Sequence, residues 1–132
     1  PHNADLIFDL RFLRNPHWVK ELRPLTGLDD VVCDYVRADG AFAEAFSKIR
    51  DLMLFLLPRY ESEGKAYVNI AFGCTGGRHR SVCFAESFAD MLRAEGYAPS
   101  IGHRNLASRP MDSLENFRND DLPTSPPAEE TT

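Results

Sequence analysis

The segment Gly73-Cys-Thr-Gly-Gly-Arg-His-Arg-Ser81 constrains this chain more than any other feature. It follows an apolar run, Ala66 to Phe72, that reads as a strand. It precedes a pattern that reads as a helix to Ala94, with Gly96 as its C-terminal cap. Gly73, Gly76 and Gly77 allow tight or left-handed backbone and leave amides uncovered, and the helix start adds free N–H groups and a positive dipole end. Arg78, His79 and Arg80 supply cationic donors. The combination predicts an anion site in which Thr75 and Ser81 flank the amides and an arginine grips a phosphate with two parallel N–H bonds. It is not a Walker A loop, because GxxxxGK[ST] occurs nowhere in the sequence.

The remaining segments arrange themselves around this loop. Asp5 to Leu13 is apolar at most positions and stops at Asn15-Pro16, which predicts a first, buried strand. Residues 14–28 carry Pro16, Pro24 and Gly27 and no period, so they form a long loop. Asp29 or Asp30 caps a short helix through Val36. After Gly40, Phe42, Phe46, Ile49, Met53, Leu56 or Leu57 and Tyr60 recur at helical spacing, with Pro58 blurring the end. Ala98 to Ile101 reads as a third, weaker strand. Alternating strands and helices predict an α/β fold: a small, open, mainly parallel sheet with flanking helices. Parallel strands bring their C-terminal ends to one edge, where open sheets bind ligands. That edge would gather Arg14, Asn15, His17 and Trp18, the loop Cys74 to Ser81, and His103 with Arg104.

Size and charge then limit the classes of function. A chain of 132 residues with 43% hydrophobic content suits one core, and no apolar run reaches the roughly 20 residues that a membrane span needs. The N-terminal residues lack a signal-peptide pattern, so a cytoplasmic protein is expected. Cys33, Cys74 and Cys83 form no CxxC or Cys/His spacing, so free thiols are expected, and the scattered His17, His79 and His103 give no metal site. The net charge is −5, of which residues 108–132 hold −4, through two arginines against six acids. Those residues also hold Pro110, Pro123, Pro126 and Pro127. The expected organisation is a folded domain over residues 1–107 and an acidic, proline-rich, disordered tail over residues 108–132. This balance disfavours RNA as a partner.

Two chemistries suit the loop. Cys74, Arg80 and Ser81 match C-x5-R-S, the pattern of cysteine-dependent phosphatases, in which a thiolate attacks phosphorus. Gly73 stands where that family usually has histidine, and no segment reads as an acid loop carrying an aspartate for the leaving group. The other chemistry is binding alone, with His17 donating to a phosphate or hydroxyl and Trp18 stacking on a sugar face.

The segments Asp9-Leu-Arg-Phe-Leu13, Asn15-Pro-His-Trp18, Leu22-Arg-Pro-Leu-Thr-Gly27, the loop itself and His103-Arg104 occur together over residues 5–106. In that order they resemble the C-terminal domain of the RNase adapter protein RapZ family. The resemblance implies a longer protein with an N-terminal P-loop domain for ATP or GTP, of which this chain is the excised C-terminal part, needing no cofactor of its own. It implies a self-associating domain that resembles a sugar-phosphate subdomain and, in enterobacterial members, senses glucosamine-6-phosphate and binds a small regulatory RNA presented to an RNase. Carried over by position, His17, Thr75, Gly76, His79 and Arg80 form the phosphosugar pocket, with Cys74 and Gly77 shaping the loop. Enterobacterial members end in a basic stretch, whereas this chain runs into acidic residues. Three readings stand: a phosphosugar sensor, an RNA-binding adapter module and a cysteine phosphatase.

Overall fold

A computed structural model describes residues 4–103. Strand β1, Leu6–Asp9, pairs in parallel with strand β2, Ile70–Gly73, in the register Leu6 to Ile70 through Asp9 to Gly73. The connection between them holds a 3-10 turn at Pro16–Trp18 and two helices, α1, Asp30–Arg37, and α2, Gly40–Ser62. After β2 the chain enters α3, Arg80–Ala94. The α/β class, the parallel pairing and the flanking helices are as the sequence predicts.

Local chemistry sets the helix ends. Asp29 and Asp39 are the N-cap residues of α1 and α2, and the Asp39 side chain accepts the Ala41 N–H at 3.0 Å. Pro58 lies inside α2, which continues through it to Ser62. Gly96 takes φ +96° just beyond α3, and the Tyr97 N–H closes on the Leu92 carbonyl at 2.9 Å. Among the described residues, no helix is long and apolar enough to cross a membrane.

Phenylalanines from three elements build the centre of the core. Phe72 of β2 lies 4.9 Å from Phe84 and 5.3 Å from Phe88, both on α3, and Phe42 and Phe46 of α2 close over the same rings. Phe8 of β1 stacks on Phe72 at 5.8 Å. Each such ring buries roughly 150–250 Å², so α3 is fixed against the sheet by its apolar face while its N-terminus points to the strand ends.

Four expectations need correction. The apolar runs 5–13 and 66–72 contain strands shorter than predicted, because buried Leu10 and Leu13 belong to the turn that follows β1. Residues 98–101 form no strand; Pro99 has no N–H to give a ladder, and only Ile101 offers a large apolar side chain. Two strands form the sheet among the described residues, so the third loop is not delivered to the shared edge by a strand. Cys33 and Cys83 are not free: packing of α1 on α3 brings their Cα atoms to 5.5 Å and the two are disulfide-bonded, while Cys74 is a free, buried thiol. The predicted tail at residues 108–132 and Arg104 lie outside the described residues.

Gly27 marks a close backbone approach. A Cβ there would stand 2.4 Å from the His79 carbonyl oxygen and 2.5 Å from the Cys83 nitrogen, both backbone atoms that cannot swing away. At Gly40 a Cβ meets nothing within 4 Å. Gly27→Ala is therefore expected to destabilise by about 1–3 kcal/mol, an overpacking penalty, and Gly40→Ala to leave stability unchanged or slightly raised. Thermal melts of the two variants check this, and equal melting temperatures would contradict it.

Candidate anion-binding site

The site begins where the two strands stop. Asp9 and Gly73 are register partners, and the Leu10 N–H donates to the Gly73 carbonyl at 2.7 Å, so the loop after β1 and the loop after β2 leave the sheet side by side. Gly76 and Gly77 take φ +86° and +66° in succession, a left-handed pair that turns the second loop into a concave run of amides ahead of α3. No side chain caps α3; its N-cap is His79, and the Ser81 N–H is turned to the Cys74 sulfur at 3.3 Å.

Arg80 ties the two loops together. It is 2% exposed, and its Nη1 donates to the carbonyls of Arg11 at 2.8 Å and Leu13 at 3.0 Å, while its buried Nε has no partner among the described residues. His79 is 5% exposed and leaves its Nε2 without a partner in the same way. Unpaired buried polar atoms of this kind are uncommon and mark a place built for a partner. Burial pushes the His79 pKa down to about 4. The carbonyls of Leu25 and Arg23 oppose that shift, and Arg78 and His17 reinforce it.

The segment Leu22 to Gly27 forms the outer brace. Arg23 Nε donates to the His17 carbonyl at 2.9 Å, Arg78 Nη2 donates to the Pro24 carbonyl at 3.2 Å, and the Gly27 N–H donates to the Arg78 carbonyl at 2.8 Å. Asn15 caps the 3-10 turn by accepting the His17 N–H at 3.0 Å, which holds His17 beside the loop. Trp18 is next along this turn and 77% exposed.

An open cleft of about 570 Å³ adjoins the loop; Asn15, Trp18, Thr75 and Arg80 line it, together with Arg11, Arg14 and Tyr35. Of the residues singled out from sequence, the structure gathers Asn15, His17, Trp18, Thr75, Gly76, Gly77, Arg78, His79 and Arg80 around one strand edge. His103, beyond the end of α3, packs back on that helix, with its Nε2 2.6 Å from Glu86 Oε2; burial lowers its pKa and the Glu86 pairing opposes that. Arg11 and Tyr35 escaped the sequence reading. Arg11 falls inside the apolar run taken as strand, and Tyr35 reaches the cleft only through the packing of α1. Among the described residues no group of three or more His, Cys, Asp or Glu could hold a metal ion.

Cys74 is fully buried, and its Sγ donates to Ser81 Oγ at 3.3 Å while also accepting the Ser81 N–H. This thiol joins the end of β2 to the first turn of α3, and Arg80 points to the turn after β1. Chemically, the arrangement suits holding a compact anion at α3.

Comparison with known proteins agrees with the order of these segments. The family model for the RapZ C-terminal domain matches residues 1–107. The chain belongs to the RapZ C-terminal domain family. A nucleotide-binding protein of Novosphingobium aromaticivorans is 62% identical over 118 residues, covering 89% of this chain and 39% of that protein. One from Sphingopyxis alaskensis is 61% identical over 115 residues, 87% of this chain and 36% of that protein. One from Zymomonas mobilis is 53% identical over 116 residues, 88% of this chain and 36% of that protein. This RapZ C-terminal domain thus spans under two fifths of the length of these relatives.

The His79 environment yields a pH prediction. A histidine with a folded-state pKa near 4 and an unfolded value near 6.5 stabilises the fold fully above pH 6.5. That stabilisation is lost as pH falls through the window down to about 4, because the unfolded chain takes up the proton first. The loss is on the order of 3 kcal/mol for a shift of this size. Denaturant melts across that window should show His79→Gln flattening the acid slope; an unchanged slope would reject the assignment.

Proposed function

We propose that this chain is a regulatory, ligand-sensing domain that binds a phosphorylated amino sugar, glucosamine-6-phosphate or a close relative. The observation that carries the reading is the buried, unpartnered Arg80 Nε donor beside the left-handed Gly76-Gly77 turn at the start of α3. The phosphate lies on the amides of this turn, where the helix dipole favours negative charge. Thr75 offers a hydroxyl, and the His17 turn faces the sugar. The RapZ C-terminal domain match supports the same reading. In a longer, cytoplasmic protein the domain would pass the ligand signal to an N-terminal P-loop domain that handles ATP or GTP, and it would self-associate.

The buried Cys74, bonded to Ser81 on both its donor and acceptor sides, favours sensing over phosphatase chemistry. The test is a thermal-shift and calorimetric comparison of glucosamine-6-phosphate with inorganic phosphate, joined to an aryl-phosphate turnover assay. A one-site ligand at about 100 times its Kd should add roughly 2.7 kcal/mol to stability. Glucosamine-6-phosphate is expected to stabilise more than phosphate, with no turnover. Equal shifts for both would reduce the site to a phosphate hole, and turnover lost in Cys74→Ser would replace sensing with catalysis.

A further inference from the structure

The cleft beside the loop holds more positive charge than a single phosphate on the loop would meet. Three guanidinium groups line it, those of Arg11, Arg14 and Arg80. Arg11 is neutralised locally: its Nε lies 2.9 Å from both oxygens of Asp9 and its Nη2 2.5 Å from Oδ2. Arg80 is committed through Nη1 to two backbone carbonyls. Arg14 differs from both. Its guanidinium lies over the Tyr35 ring, 4.3 Å from the centroid, and its Nη1 is 3.4 Å from the Tyr35 carbonyl.

The carboxylate bonded to this segment is Asp39, and both its oxygens are engaged by backbone. Oδ2 accepts the Arg14 N–H at 2.9 Å, and Oδ1 accepts the Ala41 N–H at 3.0 Å. The Arg14 charge therefore has a ring and a carbonyl for partners and no carboxylate among the described residues. An arginine laid flat on an aromatic ring keeps the outer edge of its fork available for a planar or tetrahedral oxyanion, and little ordering remains to be done on binding.

We infer that the cleft is a second anion subsite, with Arg14 as its specificity-determining residue, and that the ligand carries two phosphate groups. This rests on the reading of the loop as a sugar-phosphate site: one phosphate occupies the loop and the second meets Arg14, with the sugar between them in a sugar bisphosphate and beside them in a nucleoside-diphosphate sugar. A volume of about 570 Å³ accommodates such a ligand. Two sources share this chemistry, a sugar bisphosphate and a nucleoside-diphosphate sugar. Trp18, with its exposed ring on the same cleft, would distinguish them by stacking on a base.

The experiment is calorimetry on the 132-residue protein with glucosamine-6-phosphate, glucosamine-1,6-bisphosphate and UDP-N-acetylglucosamine, with folding of each variant checked by its melt. The bisphosphate is expected to bind about tenfold tighter or more than the monophosphate, the return from one added charge-assisted contact. Arg14→Gln should collapse that ratio towards one, and Arg14→Lys, which keeps the charge without the fork, should retain part of it. A ratio near one in the wild type, or a ratio that survives Arg14→Gln, overturns the inference and leaves the monophosphate reading standing. Bisphosphate binding that depends on Arg14, without monophosphate binding, does the reverse. Binding of none of the three overturns both. UDP-N-acetylglucosamine binding tighter than the bisphosphate, and weakened by Trp18→Ala, assigns the nucleotide source; otherwise the subsite belongs to a sugar bisphosphate.

Discussion

Like charge gathered at one helix end is the constraint around which this domain is organised. The N-terminus of α3 already carries the positive end of the helix dipole, and the chain places Arg80 there, buried, with Arg78 and His79 before it. Taking a guanidinium out of water is unfavourable unless its donors are met. Two of the partners are the carbonyls of Arg11 and Leu13, so the turn after β1 must fold back over α3 for Arg80 to be tolerated at all. Asp9 at the end of β1 adds the compensating charge: hydrogen bonds from Arg11 hold its pKa below the usual carboxylate range, and the nearby Arg80 adds to that. The same accumulation of positive charge that makes the helix end hard to bury is what the proposed anion site would use.

The brace from Leu22 to Gly27 follows from this requirement. A loop with two consecutive left-handed residues has no ladder to fix it, and only outside contacts can hold its amides in one arrangement. Gly27 supplies this by bringing backbone against backbone, its N–H on the Arg78 carbonyl and its missing side chain leaving room for the His79 carbonyl and Cys83 nitrogen. The carbonyls of Arg23 and Leu25 then face the His79 imidazole, which burial keeps neutral above about pH 4. A neutral imidazole can present an N–H without adding another charge to an already positive helix end.

Much of this was legible in the sequence, and the parts that were not share a physical cause. The strand-loop-helix around Gly73 to Ser81 could be read because glycine spacing, a preceding apolar run and a following helical stripe are all local signals. Helix starts were legible through Asp29 and Gly40, while the capping role of Asp39 came only with the structure. Strand lengths were not, since Leu10 and Leu13 are as apolar as strand residues while packing from a turn. The Cys33–Cys83 pair is separated by 50 residues and is set by how α1 lies on α3, which no spacing rule encodes. Tyr35 was missed for the same reason, its place under Arg14 being a product of tertiary packing.

The C-x5-R-S pattern shows how a short motif can be satisfied with its parts differently employed. Catalysis would need the Cys74 sulfur facing the anion and the Arg80 fork closing over it. Here the sulfur is fully buried and exchanges hydrogen bonds with Ser81, so the cysteine and serine staple the end of β2 to the first turn of α3. The arginine, two carbonyls deep in the neighbouring turn, staples β1 to the same place. What the spacing preserves is the joint: one helix N-terminus locked to both strand ends, with its left-handed glycines held open above it. A joint of this kind couples the loop to the sheet and to α3 together, because neither strand end can move without breaking a buried hydrogen bond. That mechanical coupling is what the proposed sensing role would require.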